Sequence, residues 1–221
     1  MDAAASFAAL VSGPPAELRL QLACSLMSAA FTGRDRSAEV GAALDAVAAT
    51  VQDRTFEGVL AEMRPRLHGD RETYFDARNS FIDAVLERGQ GLPITLSVIA
   101  IEVGRRIDVP IVGVGLPSHF MVKSAGADVY GDPFDDGALY SRAAVVSAWR
   151  RLVGEDHDFD ELHLQPVGIR LILIRMLNNL RAIYAHGRDP RAMHSLAVMR
   201  GSFVELVHEA ADHARWVRHF N

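Results

Sequence analysis

Apolar residues recur at intervals of three and four through residues 16–67, with Leu18, Leu22, Leu26 and Met27 forming one stripe and Val40, Leu44, Val47 and Val51 another. That spacing puts each stripe on one helix face and predicts an all-helical lead-in, punctuated by Gly13-Pro14-Pro15 and Thr32-Gly33. Ser80-Phe81-Ile82-Asp83 has the form of a capping box, with Ser80 accepting from early amides and Asp83 favoured by the positive end of the helix dipole. A short helix is therefore expected to about Arg88, ended by Gly89. A second helix opens at Pro93, whose missing N–H costs nothing in a first turn. Its apolar residues, from Ile94 through Leu96, Val98, Ile99, Ile101 and Val103 to Ile107, cover most of the circumference, which predicts burial against a sheet.

The period then shortens to two. Residues 109–115 are apolar and largely β-branched, and residues 119–124 and 128–132 alternate as strands around Ala125-Gly126. Pairing Lys123 with Asp128 sets His119 directly opposite Asp132 on one face, where Cβ atoms lie about 4.5–5.5 Å apart. A two-residue or a four-residue loop preserves that register, whereas a three-residue loop turns the two side chains to opposite faces. Beyond Leu162 the helical pattern returns. Val167, Leu171, Ile174, Leu177, Asn178 and Tyr184 run to a break near Gly187 and Pro190, followed by a helix from Arg191 to about Phe203 and a terminal one carrying Leu206, Val207, Ala210 and Trp216. The pattern divides the chain into a helical lead-in (1–69), a mixed α+β core (70–160) and a helical flank docked on it (161–221).

Composition narrows the classes. The 221 residues carry a formal charge of −5, which gives no electrostatic footprint for nucleic acid. Arg105-Arg106 and Arg150-Arg151 read as solvated helix faces. No apolar run reaches the roughly 18–20 residues of a membrane span, and the N-terminal stretch lacks a basic segment ahead of an apolar run, so a cytoplasmic location is expected. The single cysteine, Cys24, cannot form an internal disulfide and reads as a small buried hydrophobe inside the first helix, with a reactive thiol as the alternative. Gly113-Val114-Gly115 fails the dinucleotide pattern at Ser118, and the acidic run from Asp132 to Gly137 fails the calcium-loop pattern at Phe134 and Ala143. His157, His163, His208 and His213 have no zinc-type spacing, so no metal and no cofactor is expected.

Four motifs carry a resemblance: Tyr74-Phe75-Asp76-Ala77-Arg78-Asn79-Ser80, Gly91-Leu92-Pro93-Ile94-Thr95-Leu96-Ser97, Gly113-Val114-Gly115-Leu116-Pro117-Ser118-His119-Phe120 and Asp132-Pro133-Phe134. In this order they resemble the transglutaminase-like superfamily, in particular its bacterial Sir-B-type branch. There a papain-like core is followed by tetratricopeptide-type helices, and a related core occurs in some eukaryotic F-box proteins. The resemblance implies an α+β fold with a central buried helix on a small antiparallel sheet. In active members of the superfamily a cysteine at the N-terminus of that helix attacks an acyl group, a strand histidine takes its proton, and an aspartate orients the histidine. Helix dipole and imidazolium together lower the thiol pKa. Here the cysteine position falls on Pro93, give or take one residue, while His119 and Asp132 match the base and its orienting carboxylate.

Two functions follow from that resemblance. In one, the chain is a non-catalytic module whose cleft, with Asn79, Pro93, Ser97 and Ser118 as contacts, binds a peptide, a protein segment or a small molecule. In the other, it is a hydrolase or acyl-transfer enzyme in which His119 activates water or Thr95, the nearest hydroxyl with Ser97, and Asp132 holds the imidazole tautomer. His119 and Asp132 as a purely structural pair, and Asn79 and Ser80 as helix caps, are the alternatives on the same residues.

Overall fold

A computed structural model describes residues 2–154, 158–185 and 189–206. The lead-in contains a helix that the apolar stripes do not predict, α1 (Ala3–Ser12), capped by the Asp2 carboxylate and buried along Ala4, Phe7 and Val11. It is followed by α2 (Leu20–Thr32), α3 (Ser37–Thr50) and α4 (Phe56–Met63). In α2 the buried line is Leu20, Ala23, Cys24 and Met27, while Leu22 is 39% exposed. Because the helix begins only at Leu20, Leu18 precedes it and does not share its face.

Two short strands, β1 (His68–Gly69) and β2 (Gln90–Gly91), pair in parallel and tie off the loop between them. Gly69 is required there, since a Cβ would lie 2.4 Å from the Phe134 carbonyl oxygen. Within the loop a 3-10 turn (Ala77–Ser80) leads into α5 (Ile82–Arg88), which ends at Gly89 with a left-handed φ of 74°. The expected capping box does not form. Ser80 is taken up by the 3-10 turn and its hydroxyl is buried with no partner among the described residues, while Asp76 caps that turn by accepting from the Arg78 amide.

The central helix, α6 (Pro93–Arg106), starts at the expected proline and is buried over most of its surface. On it lies a sheet in the order β6–β5–β4–β3–β7, made of β3 (Ile111–Val114), β4 (Met121–Ser124), β5 (Val129–Asp132), β6 (Ala138–Ser141) and β7 (Pro166–Val167). The paired strands are antiparallel throughout. Between β6 and β7 runs α7 (Arg142–Val153), and the flank is α8 (Ile169–Tyr184) and α9 (Pro190–Gly201). The terminal helix expected to carry Val207, Ala210 and Trp216 lies outside the described residues, as do His157, His208 and His213.

The β4–β5 register differs from the expected one by two residues. Val122 pairs with Gly131 and Lys123 with Tyr130, which brings Asp132 level with Met121. Lys123 still meets Asp128, at 2.7 Å, but Asp128 is in the loop, and the Lys123 ammonium lies 5.1 Å from the centre of the Tyr130 ring. A shift of two keeps every side chain on its face, so the apolar alternation could not distinguish the two registers.

One apolar cluster runs through all three segments of the sequence, from Phe7 and Leu44 through Leu96 and Val122 to Leu177 and Met199. A second cluster lies on the other face of the sheet, where Val145 and Trp149 of α7 cover Val114, Leu116, Met121 and Tyr130. The Arg105-Arg106 pair is not uniformly solvated. Arg105 is exposed, whereas Arg106 is half-buried, meets the Glu102 carboxylate at 2.9 Å and reaches Asp45 on α3. Burial of Glu102 in α6 requires that cation. Among the described residues no helix is long and apolar enough to cross a membrane.

Candidate active site

His119 precedes β4 in a turn. Leu116, Pro117, Ser118 and His119 form it, closed by the His119 amide donating to the Leu116 carbonyl at 3.2 Å. Proline at the second position and a positive φ of 62° at Ser118, the third, are what a type II turn requires. Ser118 occupies a place usually taken by glycine, so the turn stores strain at the site. Arg175 of α8 fastens it, donating from Nη2 to the carbonyl oxygens of Leu116 and His119 while its guanidinium lies 5.5 Å from the centre of the Phe120 ring.

From this turn His119 Nε2 reaches Asp132 Oδ2 at 2.6 Å. Asp132 is 6% exposed, and its other oxygen accepts from the Phe134 amide at 3.0 Å. That second bond caps the 3-10 turn from Pro133 to Asp135, so Asp-Pro-Phe fixes the carboxylate by local chemistry. With Nε2–H donating to Asp132, Nδ1 of a neutral imidazole is an acceptor, and it has no partner among the described residues. The Phe134 ring meets His119 edge-on, with centroids 6.2 Å apart.

Both side chains line an open cleft of about 410 Å³ between α7 and the loop after β1. Its apolar wall is Leu116, Met121, Val145, Trp149 and Leu152, and its polar rim is Arg71, Asp135 and Tyr140. Arg71 meets Asp135 at 2.8 Å, and the Tyr140 hydroxyl donates to the same carboxylate at 3.0 Å. Burial, and then the hydrogen bond to Asp135, push the Tyr140 phenol up to about 12, so it stays protonated as a donor. Pro93 faces the cleft at the N-terminus of α6, where its neighbour Leu92 offers no capping side chain. A thiol at this helix end would feel both the dipole and the imidazole. Pro93 offers only carbon.

The remaining expected contacts divide. Ser118 lines the cleft with Pro93, His119 and Asp132. Thr95 and Ser97 do not: both are fully buried in α6, and their hydroxyls have no partner among the described residues. Asn79 is also fully buried, but in a network. Its Nδ2 donates to Asp70 Oδ2 at 3.0 Å and to the Thr73 carbonyl at 2.8 Å, and its Oδ1 accepts from Arg88 at 3.0 Å. It braces the loop that carries Arg71 and Tyr74, which line the cleft. The Asp70 carboxyl, held chiefly by the Thr73 hydroxyl, is lowered to about 2.

Cys24 supplies no nucleophile to this site. It is buried beside the Met176 sulfur at 3.8 Å, and burial pushes its thiol far above the ordinary range. No group of three or more potential metal ligands occurs among the described residues. Sequence patterns did not single out Arg71, Tyr140, Trp149 or Arg175. For Trp149 a signal exists, because Val145, Trp149 and Leu152 recur at four and three.

The family described as the transglutaminase-like superfamily matches residues 38–178, and the chain belongs to it. A UPF0162 protein of Xylella fastidiosa is 41% identical over 123 residues, which make up 53% of this chain and 44% of that protein. A UPF0162 protein of Pseudomonas aeruginosa is 30% identical over 158 residues, 70% of this chain and 56% of that protein. F-box only protein 21 of Mus musculus is 28% identical over 124 residues, 53% of this chain and 20% of that protein. The chain thus spans about half the length of the bacterial relatives it matches. No solved structure matches it.

Proposed function

We propose that this chain is a transglutaminase-like module that binds its ligand without catalysis, a peptide segment or a small molecule seated in the cleft beside His119. The observation that carries this is Pro93 at the cleft end of α6, where the family resemblance puts the nucleophile to within one residue. Without a thiol there, an acyl group has no covalent acceptor at the helix terminus. The two hydroxyls in the same helix segment, Thr95 and Ser97, are shut inside the core. The cleft keeps the features of a ligand site, an apolar wall with a few convergent polar groups.

A second reading, hydrolysis by water with His119 as general base, draws on the open Nδ1 of an imidazole oriented by Asp132. General-base assistance alone contributes about 10²–10⁴-fold, well below the acceleration of complete acyl-transfer centres. Incubating the wild-type chain and His119→Ala with activated esters and thiol-directed acyl probes separates the two. Equal background rates and no acyl adduct support the binding module. Turnover that disappears in His119→Ala overturns it.

A further inference from the structure

Past His119 the cleft adjoins a smaller lobe of about 150 Å³ that also reaches Arg175 and Asn179 of α8. Tyr74, Pro93, Ser118 and His119 line both lobes. Arg175 is half-buried, and its Nη2 is committed to the two carbonyls of the His119 turn. Its Nη1 and Nε have no acceptor among the described residues, and no carboxylate there pairs with it. Other arginines withdrawn from solvent are treated differently: Arg106 meets Glu102, Arg170 meets Glu205 and Arg88 approaches Asp70.

A half-buried guanidinium without a counter-charge carries a desolvation cost that a bound anion would offset. Burial lowers the Arg175 pKa, the signature of that uncompensated cost. The acidic groups of the larger lobe leave Arg175 unpaired, because each is taken up by other partners. Asp132 is held by His119 and the Phe134 amide, and Asp135 by Arg71 and Tyr140.

We propose that the small lobe binds the carboxylate of an apolar-tailed ligand, the head group meeting Arg175 and Asn179 and the tail lying against Trp149 and Leu152 in the larger lobe. A single open cation in a small space suits one singly charged head, whereas phosphate recognition draws on clusters of arginine or lysine. The head passes His119, whose open Nδ1 becomes a second donor when the ring is protonated. This assignment rests on the cleft being a binding site, and it adds the chemical class of what binds.

The test is calorimetric titration of the whole chain with two matched pairs: octanoate against octanamide, and a short peptide ending in Leu-Phe as free acid against its C-terminal amide. The acid of at least one pair is expected to bind at least about tenfold more tightly than its amide, as a charge-assisted contact requires. A preference confined to the peptide pair identifies a chain terminus as the source, and one confined to octanoate a free acid. Because Arg175 also fastens the His119 turn, Asn179→Asp is the decisive variant: it keeps the Arg175 guanidinium and puts a negative charge in the lobe. It should abolish the acid preference. Equal binding of acid and amide, or a preference untouched by Asn179→Asp, overturns the carboxylate assignment and leaves the cleft reading standing. No binding by any of the four probes contradicts both.

Discussion

His119 Nε2 and Asp132 Oδ2 are 2.6 Å apart although the two residues are not opposite one another in the β4–β5 hairpin. Asp132 stands level with Met121, so His119 is its diagonal neighbour, a relation that separates Cα atoms by about 7–8 Å and leaves the side chains to close the gap. The strained turn at Ser118 and the Asp-Pro cap aim them at each other. The pair is therefore as well fixed as a directly opposed one, but by the loops at its ends.

Removing the carboxylate tests that arrangement. Asp132→Ala leaves the buried Phe134 amide and the His119 N–H without their acceptor, so it should cost about 2–4 kcal/mol in chemical denaturation. Asp132→Asn retains an oxygen and should cost less. Equal stability of Asp132→Ala and wild type would mean that the pair does not hold the turn.

Asn79 is expected to matter through the loop it braces. Asn79→Ala strips partners from Asp70, the Thr73 carbonyl and Arg88, with an expected loss of about 2–3 kcal/mol. Amide hydrogen exchange across residues 71–76 should accelerate before exchange in α6 does. Loss of protection spread evenly over the chain would contradict a local brace.

Acid sensitivity should trace in part to Asp70. Its folded-state pKa, about 2, lies below the ordinary carboxylate value, so its stabilisation is complete above pH 4 and is lost as pH falls towards 2. About 2 kcal/mol of stability should disappear over that window, by the linkage between the folded and the ordinary carboxylate values. Asp70→Asn should be less stable than wild type at pH 6, and the gap should narrow by pH 2. A gap that stays constant would assign the acid loss elsewhere.

Part of this architecture is written in local pattern, and part is not. The Pro93 start of α6, its burial, the Gly89 stop and the shared face of His119 and Asp132 all follow from rules acting over a few residues. The β4–β5 register does not, because Lys123 and Asp128 attract one another as well from strand to loop as across two strands. Ser80 misled for a related reason: a cap needs the chain to enter the helix at that residue, and the 3-10 turn set by Asp76 delays entry until Ile82. The cleft walls are least legible. Trp149 and Arg175 reach the site by tertiary packing from α7 and α8, and nothing near Arg175 in sequence separates a turn clamp from a solvated arginine.

The most direct measurement restores the missing group. In Pro93→Cys the introduced thiol should sit at the positive end of α6 beside His119, with a lowered pKa, and iodoacetamide should modify it at pH 7 far faster than buried Cys24. Mass spectrometry of the labelled chain reads the site, and adding His119→Ala should slow the reaction. Rapid, His119-dependent alkylation at position 93 is the predicted result. An introduced thiol that reacts no faster than a free cysteine, or whose rate ignores His119, would contradict the proposal that proline stands in the nucleophile's place in this non-catalytic cleft.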